Sequence, residues 1–285
     1  MLKQSHVVSV QYLQGSFCVS YEIPIVIYLY IFTVYTTIDS TTMLANCYIG
    51  TVKYCIMHYK SIFISDLHLG TKQAKSKRLL KFLESHTCDN LFLVGDVIDG
   101  WALQRRHYWT DKQTEVIRKI LKISLTANVY YLPGNHDEFV RPFFKYGFNF
   151  GSCTVVDNFV YHAVDGRRIL VVHGDYYDIW MKFPKKLINF LARIGDFIPI
   201  SWIEHAKLRN QSPYRYLRTT RTEHRITKYA RVNNYDAVIC GHTHIPKMTD
   251  NYMNTGDWVD NCTAIAETID GKWEMLQHVE DTVNN

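Results

Sequence analysis

An α/β fold with a cluster of ligands at the carboxyl ends of its strands is what this sequence predicts, and three observations predict it. Three short apolar runs end in polar motifs: Ile62 to Ile64 before Ser65-Asp66-Leu67-His68, Asn90 to Val94 before Gly95-Asp96, and Val129 to Leu132 before Pro133-Gly134-Asn135-His136-Asp137. Helical periods lie between these runs, which makes them successive units of one α/β sheet. The chain has 285 residues and is 47% hydrophobic, enough to bury the core of one large domain or two modest ones.

The first 56 residues read differently from the rest. Ile23 to Ile38 is an uncharged run of 16 residues, short of the roughly 20 that a membrane-spanning helix needs. Neither a basic n-region nor a small-residue cleavage site marks a signal peptide. Met57 stands directly before the first motif strand, so we expect the native protein to begin at or near Met57, with residues 1–56 an incidental extension. A short hydrophobic anchor is the rival reading, and peptides from before Met57 in mass spectra of the natural protein would refute the first.

Residues 57–285 read as one domain with a basic helical insert at 176–235. Leu79, Leu80 and Leu83 stand at helix-neighbour spacing, with Lys75, Lys77, Arg78 and Lys81 available for the outside. Val116, Ile117, Ile120 and Leu121 mark a second helix. Strands follow at Thr154 to Val156 and Phe159 to Ala163, then a turn at Asp165-Gly166, then Ile169 to Val172 running into His173-Gly174-Asp175. Ala237 to Cys240 leads into Gly241-His242-Thr243-His244, and the tail from Tyr252 to His278 should supply two or three closing antiparallel strands.

The formal charge of +5 is unevenly placed. Met181 to Arg231 holds 12 Lys and Arg against 3 Asp and Glu, a net of +9 that leaves −4 for the remainder. Seven cysteines, with no CxxC pair, fit reduced thiols in a cytosolic protein better than a disulfide framework.

Asp66, His68, Asp96, Asn135, His173, His242 and His244 are oxygen and nitrogen donors with no thiolate among them, a set suited to manganese, iron, zinc or magnesium. Seven donors are too many for one tetrahedral ion. Two ions about 3.5 to 4 Å apart, sharing a carboxylate, account for the number and make a hydrolytic site. Glycine before the key residue in GD, GNH and GHTH lets the backbone come close to such ions. Each motif alone could be a turn or a capped strand end; five together point to metal.

This set of motifs resembles the calcineurin-like metallophosphoesterase superfamily from about Ser61 to Asp257. The resemblance implies a four-layer αββα sandwich with an inserted helical lid. It implies that Asp66, His68 and His244 hold one ion, that Asn135, His173 and His242 hold the other, that Asp96 bridges them, and that the nucleophile is a hydroxide between the two. It further implies that His136 contacts the phosphoryl oxygen or protonates the leaving group, with Asp99 orienting it. Manganese is the metal expected.

Within the superfamily, FISDLHLG, the long insert between HGD and GHTH, and NTGDWVDNCTA are most similar to the UDP-2,3-diacylglucosamine diphosphatase branch of lipid A synthesis. The reaction this implies is attack at the α-phosphorus, releasing UMP and the lipid sugar 1-phosphate. The chain departs from that branch at His136, where the branch carries Arg; the departure bears on the substrate, not on the metal chemistry.

In the insert, Phe183, Leu187, Phe190, Leu191 and Ile194 fall on one helical face, with Lys186, Asn189 and Arg193 on another. Such a helix lies on an anionic membrane, covers an acyl chain, or packs on its own domain. Arg215, Arg218, Arg221, Arg225, Lys228 and Arg231 recur every three or four residues, and we read the first four as a wall for a diphosphate or lipid headgroup. The partner expected is thus a phosphorylated lipid or nucleotide sugar, with an anionic membrane surface behind it, at the cytoplasmic side. A nuclease or cyclic-nucleotide phosphodiesterase would use the same metals, but the apolar interleaving of the basic residues suits lipid better than nucleic acid. An inactive scaffold is a further alternative, against which the seven donors speak.

Overall fold

The structure is a computed structural model in which residues 9–13, 16–20, 57–146, 149–179 and 213–278 are described. Strands β1 (Ser9–Leu13) and β2 (Ser16–Ser20) form an antiparallel hairpin. The apolar run at Ile23 to Ile38 and the amphipathic segment Phe183 to Gly195 lie outside the described residues.

Two sheets carry the domain. The first is built from β3 (Met57–Ile64), β4 (His86–Val94), β5 (Asn128–Leu132), β6 (Asn149–Phe150), β7 (Cys153–Val155), β13 (Thr263–Glu267) and β14 (Trp273–Gln277), in the spatial order β14-β13-β3-β4-β5-β7-β6. The second is built from β8 (Phe159–His162), β9 (Arg168–Val171), β10 (Ala237–Cys240), β11 (Lys247–Met248) and β12 (Tyr252–Asn254), in the order β11-β12-β10-β9-β8. Both have parallel centres, β3-β4-β5-β7 and β9-β10-β12, and antiparallel edges.

Side-chain alternation along these strands divides the core into three layers. Ile62, Ile64, Leu91 and Leu93 point to the outer face of the first sheet, where Leu79, Phe82 and Leu83 of α1 (Ser76–Ser85) and Val116 and Ile120 of α3 (Asp111–Ile123) cover them. Phe63, Phe92 and Val94 point the other way and meet Ile169, Val171, Ala237 and Ile239 of the second sheet. Phe63 and Phe92 stack at 4.6 Å between ring centroids. Leu170, Val172, Val238 and Cys240 form the second sheet's outer face, covered by Ile226 and Ala230 of α4 (Pro213–Val232). The result is a helix, sheet, sheet, helix sandwich.

Several boundaries differ from expectation. The second motif strand begins at His86 rather than Asn90, because its first residues pair with Met57 to Tyr59. In α1 it is Phe82, not Leu80, that joins Leu79 and Leu83 in the core. The two strands around residue 157 belong to different sheets, and β12 runs parallel to β10, so the tail is not wholly antiparallel. A short helix, α2 (Gly100–Arg105), was not anticipated; the Asp99 side chain caps it by accepting the Ala102 N–H at 2.7 Å.

Candidate metal centre

Parallel strands put their carboxyl ends on one edge, and every predicted donor follows such an end. Asp66 and His68 follow β3, Asp96 follows β4, Asn135 follows β5, His173 follows β9, and His242 and His244 follow β10. The loops are zipped together by backbone bonds, among them Asp66 N–H to Gly95 O at 2.9 Å, His68 N–H to Asp96 O at 2.9 Å and Gly241 N–H to His173 O at 3.0 Å. Asp66, His68, Asp96, His242 and His244 all have left-handed backbones, with φ of 54°, 45°, 53°, 66° and 57°. Such conformations cost roughly 1–2 kcal/mol each for an ordinary residue, and their concentration here is strain held at the site by the surrounding structure.

Close approach explains two motif glycines. A Cβ on Gly134 would stand 2.2 Å from Asp96 Oδ1 and 2.7 Å from His173 Nε2; one on Gly241 would stand 2.4 Å from Asp66 Oδ2. Neither neighbour can move without carrying a donor with it.

Three overlapping groups have donor atoms within 4.8 Å of one another: Asp66, His68 and His244; His68, Asp96 and His136; Asp96, His173 and His242. His244 Nε2 lies 3.0 Å from Asp66 Oδ1, and His173 Nε2 lies 3.4 Å from Asp96 Oδ2. Asp96 belongs to two groups, as a shared carboxylate must. Each imidazole has its second nitrogen beside an outer acceptor: His68 Nδ1 is 3.1 Å from Asp99 Oδ2, His173 Nδ1 donates to Val94 O at 2.8 Å, His242 Nε2 is 2.9 Å from Asp178 Oδ2, and His244 Nδ1 is 3.5 Å from Asp257 Oδ2. That arrangement fixes ring orientation and directs the other nitrogen's lone pair inward.

The residues present fit a cation. Asp66 Oδ1, Asn135 Oδ1 and His173 Nε2 are buried without a well-formed hydrogen bond. Leaving a buried polar atom unsatisfied costs roughly 1–3 kcal/mol, and a cation held among the donor groups of Asp66 and His173 would meet that need. Burial works to raise the Asp66 and Asp96 carboxyls, yet His244 and His173 around the first, and His173, His136 and His68 around the second, hold both below the usual carboxylate range. Burial opposes protonation of His173 and His244, but Asp96 and Asp66 hold the former well above its ordinary value, and Asp66 and Asp257 hold the latter at about 10. Without metal, the carboxylates thus draw protons onto the imidazoles. Cations would replace those protons.

His136 keeps a quarter of its side chain exposed (25%), with its Nδ1 2.9 Å from Asp99 Oδ2 and its ring 4.3 Å from that of Trp101. Its main-chain N–H donates to Asp96 Oδ1 at 2.8 Å. Asp99 therefore touches both His68 and His136. Of the four predicted arginines, Arg218 reaches the site, its guanidinium on Asp178 and 3.3 Å from His242 Nε2; Arg221 is exposed, Arg225 half-buried, and the side chain of Arg215 lies outside the described residues.

Three buried acids with no role legible in the sequence organise the loops. Asp137 accepts the N–H groups of Val97 and Gly134 and the hydroxyl of Tyr131. Burial, with Asp96 nearby, pushes its carboxyl up to about 6. Asp257 gathers the N–H groups of residues 259–261 while facing His244. Both stand in motifs that were legible as motifs; Asp178, five residues after His173, carried no signal at all.

The family model that matches this chain agrees with this chemistry. A family model described as calcineurin-like phosphoesterase matches residues 59–246. A UDP-2,3-diacylglucosamine hydrolase of Blochmanniella pennsylvanica is 24% identical over 213 residues, 68% of this chain and 82% of that protein. One of Coxiella burnetii is 25% identical over 246 residues, 75% of this chain and 96% of the other. Among solved structures, a hypothetical protein of Pyrococcus horikoshii is 13% identical, with a TM-score of 0.44 over 79% of this chain and 90% of that one.

Proposed function

Because the chain belongs to the calcineurin-like phosphoesterase family, whose members of this kind are metal-dependent hydrolases, we propose that it cleaves the diphosphate of UDP-2,3-diacylglucosamine to UMP and the lipid sugar 1-phosphate. The observation that carries the hydrolytic reading is the run of overlapping donor groups, in which His68 links Asp66 and His244 to Asp96, and Asp96 links on to His173 and His242. The names of the similar hydrolases support the substrate.

On this reading Asp66, His68 and His244 would hold one divalent cation, Asn135, His173 and His242 would hold the other, and Asp96 would be shared between them. We take both ions to be manganese; iron, zinc or magnesium suits the same donors. When bound, such a pair supplies a water of lowered pKa and neutralises charge on the phosphoryl oxygens. The chain's own residues do the rest. Asp99, fixed as the cap of α2, holds His68 and His136 in orientation together. Asp99 and Asp96 raise the proton affinity of His136 above its ordinary value against burial, which suits it to donate to a leaving group. Trp101 packs against the His136 ring, 4.3 Å between centroids. Arg218 adds a cation beside the pocket, suited to a diphosphate oxygen. The work takes place at the cytoplasmic membrane face, where the lipid lies.

A second reading is a phosphodiester substrate, and His136 favours it. Attack at the α-phosphorus expels a sugar phosphate, already a good leaving group with a second pKa of about 6. An alkoxide leaving group needs the proton that a His136–Asp99 pair is built to deliver. A manganese-supplemented assay of UDP-2,3-diacylglucosamine, bis-p-nitrophenyl phosphate and single-stranded DNA separates the readings. UMP release from the lipid substrate alone sustains the first, turnover of the diesters without it establishes the second, and no turnover of any of them leaves a scaffold.

A further inference from the structure

Three of the four outer partners of the histidine cluster belong to the sandwich itself: Asp99 caps α2, Val94 ends β4, and Asp257 is wrapped by its own turn. The fourth does not. Asp178 follows the one-turn 3-10 helix Asp175–Tyr177 at the start of the insert, and its side chain is completely buried. Its Oδ2 accepts from His242 Nε2 at 2.9 Å and also from the Arg218 guanidinium.

Arg218 is the first member of a row at steps of four along α4, followed by Thr222, Ile226 and Ala230, all three of them buried. The far end of this row packs on the outer face of the second sheet, and the near end reaches the metal centre. Tyr177 of the turn contacts Tyr229 of the same helix at 5.2 Å between centroids. One helix thus grips both the turn that presents Asp178 and the carboxylate itself.

We propose that Asp178 is a positioning residue for His242 and that Arg218 holds Asp178 in place, so that docking of α4 and completion of the His173/His242 side of the centre are a single event. This rests on the two-cation reading above. The Asp178 carboxylate holds the Nε2–H of His242, which leaves Nδ1 as the nitrogen that can ligate. Removing Arg218 takes a cation away from a buried carboxylate, and a buried charge that loses a partner does not keep its place. The basic insert is then more than a cover, because its seating decides whether the second cation has a full set of donors.

The test is calorimetric titration of the full-length, metal-free protein with Mn2+, comparing wild type with Arg218→Ala, Asp178→Asn, Asp178→Glu and the double variant Arg218→Ala/Asp178→Asn, all with native circular dichroism. One of the two sites should lose roughly 10- to 100-fold in affinity in each of the first two variants, while the other keeps its affinity. Asp178→Glu should recover part of the loss, and the double variant should be no worse than Asp178→Asn alone. Wild-type affinity at both sites in Arg218→Ala and Asp178→Asn, or equal weakening of both sites, overturns the proposal. A wild-type protein that takes up only one ion overturns the two-cation reading itself and the proposal with it.

Discussion

At the residue scale the site is a balance of buried charge. Asp96 is shared by two donor groups, so Asp96→Asn, which keeps the shape and removes the charge, should lower kcat by at least tenfold in steady-state hydrolysis of an aryl phosphodiester; more than about a tenth of the wild-type rate would contradict its bridging role. Gly134→Ala should be as damaging for a steric reason, since its Cβ would displace the same carboxylate. The pH dependence has a definite sign. His244, held at about 10 in the metal-free protein, must lose its proton to ligate. Mn2+ affinity should therefore rise with pH from about 6.5 towards 10, by roughly tenfold per unit for each proton displaced. The stability that the imidazolium gives the metal-free protein runs oppositely: fully present below the unfolded value of about 6.5, it is lost as pH rises through about 10. Titrations at two pH values check the first effect, and metal-free denaturation curves the second.

At the scale of elements, five strand ends converge because parallel strands share an edge, and the left-handed donor residues turn the chain back over it. The motifs were legible because each is a polar stop after an apolar run, a pattern imposed by burial on both faces. The left-handed backbone was not: Asp, Asn and His tolerate it, but nothing in Asp66-Leu67-His68 announces it. Nor was the split of the strands near residue 157 between two sheets, since both runs have the same local pattern. The sequence predicts helix α4 as a cationic wall within a basic insert. Ile226 and Ala230 show instead that its second half is core, so excising the insert through Arg231 would bare Leu170, Val172 and Val238. Ile226→Ala should cost roughly 2–5 kcal/mol in urea denaturation of the metal-free protein; a loss below about 1 kcal/mol would mean that the helix is not seated there.

At the scale of the whole molecule, both sheets must be in place before the centre exists, because Asp66, Asp96 and Asn135 come from the first and His173, His242 and His244 from the second. The inner layer of Phe63, Phe92, Val171 and Ile239 therefore does functional as well as structural duty, setting the distance between the two halves of the donor set. Residues 107 apart in sequence, Asp66 and His173, were legible as candidates one at a time; their meeting depended on packing that no local pattern encodes. The most direct test of the account is the Mn2+ content of purified protein after equilibration with excess metal and removal of the unbound, read by elemental analysis. Two ions per chain in the wild type and no more than one in Asp96→Asn is the predicted result; a single ion in the wild type, or two in both, would contradict it.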